Sequence, residues 1–292
     1  MKKDLVPLCY VILASMAHAV FVSSFSFYTT ASFSKDTCFR RSSSSRKTGT
    51  RCYSEVPSDV SDSVIEESSL DSIESIAAVE ALKRTVLEFG ASFDRGFGAS
   101  QKSRAKMEKV IEELAGYNLE MDAAKGIEGS SENSSPLTGC WRMVWTTAQD
   151  VLVLNASLLT TTGAIHQIFE PPVVTNVIDF IPKAESFLPP TLTPSSLFRA
   201  KVTTRASTRP QPMRIGLDFE AVSLVPTQLF GMDLPDTVQP LKIDLPKISG
   251  LSADVESPGY FDVLFLDENM LIIEQNVGGG KFVLIKTDGI DP

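Results

Sequence analysis

The chain ends with a stretch that decides its fold: Gly259-Tyr-Phe-Asp-Val-Leu-Phe-Leu266, Met270-Leu-Ile-Ile-Glu274 and Lys281-Phe-Val-Leu-Ile-Lys286. Each run is short and rich in aromatic and β-branched residues, a composition typical of strands. Asp267-Glu-Asn269 and Gln275-Asn-Val-Gly-Gly-Gly280 separate the runs, and such polar and glycine-rich segments favour turns. The stretch therefore predicts a β-meander.

The region before the meander is also predicted to form strands. Residues 137–147 place Trp141, Met143 and Trp145 on one face of a strand by simple alternation. Further strands are predicted at Ala164–Phe169, Val173–Ile181, Leu197–Arg205 and Met213–Leu224. About eight antiparallel strands suffice to close a small barrel that holds one ligand.

Two amphipathic helices are predicted ahead of the barrel, over residues 72–117. Asp71 and Glu74 are predicted to form a capping box for the first helix, and Ser100 is predicted to cap the second. The apolar stripes that face the core are Ile76, Val79, Leu82, Val86, Phe89 and Phe93 on the first helix, and Met107, Val110, Ile111 and Leu114 on the second.

Several of these motifs together resemble one known family, the plastid lipid-associated proteins or plastid fibrillins. The resemblance rests on Phe265-Leu-Asp-Glu268, on the glycine turn before Phe282-Val-Leu284, on Gly139-Cys-Trp-Arg-Met-Val-Trp-Thr-Thr147, on Gln167-Ile168 with Asn176-Val-Ile178, and on the Arg95-Gly96 turn. A flexible connector explains that last turn equally well. The resemblance spans roughly Ile76 to Lys286 and implies a mainly β, lipocalin-like barrel with N-terminal helices, in which Gly-x-Trp places Trp141 at the closed end.

The chain departs from the family pattern after the Leu-Asp-Glu turn. The family usually has an Asp-Leu-Arg run and another arginine nearby, where this chain has Asn269-Met-Leu271 and Ile272-Ile-Glu274. Any contact that those arginines make elsewhere is therefore not expected here. The sequence indicates a divergent member.

The N-terminal region has the composition of two targeting segments. Residues 1–24 combine Lys2 and Lys3 with an apolar run, which is typical of a signal peptide, with Ala19 as a competing cleavage site to Ser24. Residues 25–54 are basic, rich in serine and poor in acids, as transit peptides are. This resembles the bipartite plastid targeting of algae. Residues 55–71 are expected to be a disordered acidic leader, and 72–292 the folded domain, with its barrel at 137–287. An ordinary secreted protein with a basic pro-segment is the alternative.

Charge and cysteine content narrow the class of partner. The chain has 27 basic and 36 acidic residues, and residues 55–292 retain 19 and 34 of them, a net charge of about −15. Such an acidic body is not expected to bind nucleic acid or an anionic membrane by charge. Cys140 is the one cysteine after residue 54, so no intrachain disulfide is expected in the mature protein.

The titratable residues give no catalytic pattern. His166 and Cys140 are the one His and the one Cys of the mature region, too few for a zinc cluster, and His166 is interpreted as a polar residue at a strand end. Gly278-Gly-Gly-Lys281 lacks the spacing of a phosphate-binding loop and precedes a strand. We therefore expect no metal, no cofactor and no enzyme activity.

Apolar side chains remain as the functional feature. The predicted ligand-contacting set is Trp141, Trp145, Ile168, Phe219, Phe261, Phe265, Phe282 and Leu284, although for each of these residues a purely structural core role is an alternative. The resemblance implies binding of lipids, carotenoids or prenylquinones at thylakoids or plastoglobules. An enzyme acting on a lipid or isoprenoid inside the barrel, and a secreted lipocalin-type carrier, are the alternatives.

Two proline-rich stretches, 188–194 and 224–235, mix proline with large apolar residues. They are predicted to be loops, which either pack over the barrel end or form an apolar lip that contacts lipid.

Overall fold

A computed structural model describes residues 63–129, 134–183, 196–229, 231–234, 239–244, 259–276 and 280–290. The expected signal peptide, the transit peptide and the first proline-rich stretch lie outside these residues, as do residues 55–62 of the acidic leader.

In the part of the chain that the structure describes, two helices precede the barrel. Helix α1 runs over Ser63–Ser92 and α2 over Gln101–Ala115, with a short 3₁₀ segment at Asp94–Gly96 between them. The Ser100 side chain accepts a hydrogen bond from the Ser103 N–H, which confirms the cap predicted for α2. The start predicted for α1 was wrong: the helix begins inside the expected leader, so Asp71 is an interior residue and not a cap. The helix begins nine residues earlier than predicted, because glutamate and leucine favour helix and adding residues to a formed helix costs little compared with starting one.

Ten strands follow among the described residues. Their bounds are β1 Gly139–Thr146, β2 Thr160–Glu170, β3 Val173–Pro182, β4 Leu197–Thr208, β5 Arg214–Leu229, β6 Met232–Asp233, β7 Leu241–Asp244, β8 Tyr260–Leu266, β9 Met270–Gln275 and β10 Lys281–Thr287. Antiparallel pairing runs in the order β4-β3-β2-β1-β10-β9-β8-β5, and β5 pairs again with β4, so eight strands close a barrel. The predicted fold class is confirmed. Strands β6 and β7 add to β5 outside the closed ring.

The second proline-rich stretch is largely strand and not loop. Leu224–Leu229 completes β5, where Pro226 pairs with Phe198. Pro226 coincides with a register irregularity next to Leu197, and bulges are places where a strand tolerates proline.

Bulges in β1 and β8 reverse the alternation of side chains along these strands. The register of β1 against β10 shifts between Met143 and Trp145, and that of β8 against β9 shifts between Val263 and Phe265. One extra residue at a bulge turns the following side chains to the other face. Residues two positions apart across each bulge, such as Met143 and Trp145 or Val263 and Phe265, therefore face different layers of the protein.

One barrel end is closed by packed side chains. Trp141, which is fully buried, lies there with Leu137 and Ile127, and its indole N–H donates to the Leu137 carbonyl at 2.8 Å. The Lys286 Nζ lies 5.2 Å from the Trp141 ring centroid. Residues 120–129 cross this end, where the Ala124 N–H donates to the Pro212 carbonyl.

A short helical segment follows β1 at the other end. It comprises helix α3, Gln149–Leu152, and a 3₁₀ segment at Val153–Ala156. Leu154 packs into an interior cluster with Ile178, Phe180 and Phe198. This segment therefore caps the barrel end at which β1 finishes and β2 begins.

Helices α1 and α2 cover the outer face of the barrel along β1 and β8–β10. Their buried Val86, Met107, Ile111 and Leu114 form a cluster with strand residues. Gly90 and Gly96 lie against the backbone carbonyls of Val144 and Thr146, where a Cβ would not fit. The helical layer is therefore in direct contact with the β1 backbone.

None of the helices in the described part of the chain combines the length and the apolarity needed to cross a membrane.

Candidate functional site

A cavity of about 130 Å³ lies inside the barrel, between the cluster at the closed end and the cluster under α3. Most of its walls are apolar, with Met143 from β1, Leu217 from β5 and Ile273 from β9 on three sides. Its described lining residues are Met143, Asp150, Val151, Leu154, Ile165, His166, Gln167, Asn176, Ile178, Val202, Leu217, Phe219, Phe261, Ile273, Gln275, Phe282 and Leu284.

Four of the eight predicted ligand-contacting residues line this cavity: Phe219, Phe261, Phe282 and Leu284. Phe282 and Leu284 alternate along β10 with Val283, which contacts the helices instead. Phe261 packs edge-on against Phe169, with ring centroids 6.3 Å apart. All four side chains face the interior of the barrel.

The other four predicted residues lie elsewhere. Trp145 and Phe265 follow the two bulges, and both pack in the cluster under α1 and α2. Trp141 fills the closed end and does not line the cavity. Ile168 lies on β2 between Gln167 and Phe169. Its side chain is half-buried and does not line the cavity.

The polar part of the cavity could not be predicted from apolar patterning. It consists of Asp150 on α3, Gln275 at the end of β9, His166 on β2, and the cross-strand pair Gln167 and Asn176. A register prediction could have placed Gln167 and Asn176, because they flank apolar residues of the same interior face. Asp150 and Gln275 are brought together only by the tertiary fold.

Burial raises the pKa of the Asp150 carboxyl above its ordinary value, although hydrogen bonds from backbone N–H groups and the nearby Gln275 amide partly offset this effect. The carboxylate accepts a hydrogen bond from the Val151 N–H at 3.0 Å. Asp150 is thus a partly desolvated acid at the wall of an apolar cavity.

The interpretation of His166 as a strand-end residue was wrong. It lies in the middle of β2, is fully buried, and contributes to the cavity wall. Cys140 is half-buried on β1 and is not part of the lining. Among the described residues, no group of three His, Cys, Asp or Glu side chains could hold a metal ion.

The Arg95-Gly96 turn has a defined place in the structure, and is not a loose connector. The Arg95 guanidinium donates to the backbone carbonyls of Thr162 and Gly163 at the bulge of β2. It also lies 5.1 Å from the Phe97 ring centroid. The turn therefore attaches the helices to the barrel wall next to the cavity.

Comparison with known proteins identifies the family. Residues 80–285 match the family model PAP_fibrillin, from the second half of α1 to β10, well over half of the chain. No curated protein matches the sequence. With the closed eight-stranded barrel and the helices that cover it, this match shows that the chain belongs to the PAP/fibrillin family of plastid lipid-associated proteins.

Proposed function

We propose that this protein binds and sequesters hydrophobic molecules, such as lipids, carotenoids or prenylquinones, inside its barrel. The observation that carries the proposal is the interior cavity, whose walls are mostly aliphatic and aromatic. Burial of apolar ligand surface there contributes about 25 cal/mol per Å². The family is one of lipid-associated structural proteins, which is consistent with binding without turnover.

The size of the cavity indicates which part of a ligand it holds. At about 130 Å³ it is comparable to protein cavities of about 150 Å³ that accept a benzene ring. A ring or a few methylenes would fill it. We infer that longer ligands leave part of their length outside the cavity.

We further propose that the protein acts at a plastid lipid surface, a thylakoid or a plastoglobule, reached through the targeting segments at residues 1–54. Large apolar side chains are exposed at the end capped by α3: Leu158 is 90% exposed, Val153 57% and Ile181 41%. Leu159, which is 39% exposed, directly precedes β2, and Ile181 pairs with Thr161 near the start of that strand. These side chains offer an apolar contact that needs no positive charge.

Asp150 also supports a second candidate function, an enzyme acting on a lipid or isoprenoid. A carboxyl whose pKa is raised by burial in a cavity is a group of the kind that catalytic sites use. In the binding function it serves instead as a polar wall residue.

The binding proposal is tested by filling the cavity. Ile165 is half-buried at the cavity wall, so Ile165→Phe should occupy ligand space and weaken binding of the fluorescent probe N-phenylnaphthylamine by about tenfold or more. Phe265→Leu alters an aromatic residue outside the cavity and serves as the control, with unchanged affinity. Equal affinity for all three proteins would contradict the proposal.

Mass spectrometry of a bound lipid after incubation separates binding from catalysis. Recovery of the unchanged lipid is expected. A product whose formation is abolished by Asp150→Asn would support the enzyme instead.

A further inference from the structure

We propose that the barrel end capped by α3 docks on a lipid surface that carries anionic headgroups, because three exposed lysines on α2 lie at the same end as its exposed apolar side chains. This inference rests on the lipid contact proposed above and specifies the charge of the lipid surface. The acidic net charge of the chain favours the opposite preference, so the sign of the effect tests the proposal.

Helix α2 runs from the α3 end of the barrel towards the closed end. Gly96, just before the helix, lies against the backbone of the last residue of β1. Glu108 is ion-paired with Lys281, the first residue of β10, which pairs antiparallel with β1. After the helix, the Asn118 side chain accepts a hydrogen bond from the last backbone N–H of β8 at the closed end. Residues 101–109 therefore lie at the α3 end.

Three lysines form a row on the outer surface of this half of α2. Lys102, Lys106 and Lys109 follow helical spacing, which places them on one face of the helix, and all three are exposed. Along the helix axis the row spans about 10 Å. In the part of the chain that the structure describes, none of the three lysines is in an ion pair. Their positive charges therefore remain available to an external anion.

Few acidic residues near the row oppose it. The carboxylate of Glu108 is already neutralised by Lys281. Glu88 on α1 is exposed and offsets part of the positive charge, whereas Glu112 and Glu113 follow on α2 in the direction of the closed end. At physiological ionic strength, exposed charges more than about 8 Å apart are largely screened from each other. The distant acidic residues of the chain therefore weaken the contact little.

The apolar side chains of the α3 end identify the kind of partner. Leu158 is 90% exposed and Val153 57%. Proteins that lie on a lipid surface bury apolar side chains at the boundary between headgroups and acyl chains, while neighbouring lysines meet anionic headgroups. A soluble acidic partner would use the lysines and leave the apolar side chains in water. The combination fits a lipid surface.

The test is flotation of the 292-residue chain with vesicles of phosphatidylcholine, either alone or with about one third phosphatidylglycerol. The wild type should bind the anionic vesicles about tenfold or more tightly than the neutral ones. About 0.5 M salt should remove most of this difference, because the screening length falls to a few Å. Every protein compared carries residues 1–54, so binding by that segment is the same throughout.

Two triple variants isolate the lysine row. Removal of the row by Lys102→Gln, Lys106→Gln and Lys109→Gln should lower affinity for the anionic vesicles about tenfold and leave affinity for the neutral ones unchanged. The control removes the same charge from three exposed cations elsewhere on the surface, by Arg84→Gln, Lys125→Gln and Lys286→Gln. It should change both affinities by less than about twofold.

Two leucine variants test the apolar part of the contact. Leu158→Gln, at the α3 end, should weaken binding to both kinds of vesicle about fivefold. Leu119→Gln is the matched control, because Leu119 is 91% exposed beside Asn118 at the closed end, and it should leave both affinities unchanged.

The results separate this inference from the lipid contact beneath it. If the two triple variants lose affinity for anionic vesicles equally, or neither loses it, the anionic preference is overturned while the lipid contact stands. If Leu158→Gln and Leu119→Gln behave alike, or if the wild type binds neither kind of vesicle, the lipid contact of the α3 end is wrong and the inference falls with it.

Discussion

Trp141 and Trp145 are four residues apart on β1, yet they serve opposite sides of the barrel wall. Trp141 is buried at the closed end of the interior. Trp145 is equally buried, but under the helices, where it meets Phe89 and Phe93 edge-on at centroid distances of 6.4 and 6.5 Å. The bulge between Met143 and Trp145 produces this difference.

We expect Trp141→Ala and Trp145→Ala each to lower the free energy of unfolding by about 3–5 kcal/mol, because each leaves a large void in a packed cluster. Urea unfolding followed by circular dichroism measures the loss. Val153→Ala, at a side chain that is 57% exposed, is the control and should change stability by less than about 0.5 kcal/mol. A small loss for Trp145→Ala would mean that the helices do not pack firmly on β1.

Alternation along residues 137–147 predicts both tryptophans on the interior face, and this prediction is wrong for Trp145 for a physical reason. Alternation is a local property that holds until a strand gains an unpaired residue. Whether Val144 bulges depends on its partner strand and on the helix turn packed against it, and neither is visible in residues 137–147. The same reasoning explains Phe265, which follows the bulge in β8.

At the scale of elements, the turn between α1 and α2 connects the helical layer to the barrel. Arg95 satisfies two strand carbonyls, and Gly96 has φ +99° directly against the Thr146 carbonyl. A side chain at Gly96 would be strained both by its backbone conformation and by lack of space. The resemblance pointed to this turn, but only the structure shows what it contacts.

Gly96→Ala should therefore destabilise the protein by about 1–3 kcal/mol. Gly289→Ala is the matched control, because nothing lies within 4 Å of a Cβ added there, and it should be close to neutral. Thermal unfolding monitored by circular dichroism measures both. Equal melting temperatures for the two variants would show that the turn tolerates a side chain and is not fixed against β1.

At the scale of the whole molecule, folding shifts the pKa values of two carboxyl groups, which lie at opposite ends of the barrel, in opposite directions. Burial raises the pKa of Asp150 in the cavity. Glu128, near the closed end, accepts hydrogen bonds from the Thr208 hydroxyl and backbone N–H, which lower its pKa. Folding therefore favours the protonated form of Asp150 and the ionised form of Glu128.

These directions predict opposite pH profiles for Asp150→Asn and Glu128→Gln. The folded state holds a proton on Asp150 more tightly than the unfolded state does. The free energy of unfolding therefore falls as the pH rises from 3.8, the ordinary pKa of the carboxyl, through the raised pKa of the folded state. Asp150→Asn removes the resulting penalty and should be more stable than wild type at neutral pH, with the difference shrinking towards about pH 4.

Glu128→Gln should be less stable than wild type at neutral pH, because the stability that the carboxylate provides is present above its ordinary pKa of 4.5 and is lost as pH falls. Urea midpoints measured between about pH 4 and pH 8 test both variants. A pH-independent difference for Asp150→Asn would contradict the assignment of Asp150 as a desolvated acid.

The sequence predicted the fold of the whole molecule better than it predicted the residues of the candidate site. Strand composition and turn signals located the barrel strands because each signal is local. The cavity depends instead on which side chains remain interior after the bulges, and on Asp150 and Gln275, which come from segments more than a hundred residues apart. The sequence of neither segment indicates that the two residues lie close together in the fold.

The one-sided helical layer has a mechanical consequence for the barrel. It stiffens β1 and β8–β10 on their outer face, whereas Ile165, Ile178, Val202 and Phe219 form the opposite wall of the cavity on β2–β5. A closed sheet that is reinforced along one side yields along the other when it is strained. Accommodation of a bulky guest should therefore bend β2–β5 outward while β1 and β10 remain in place, which makes the barrel compliant in one direction only.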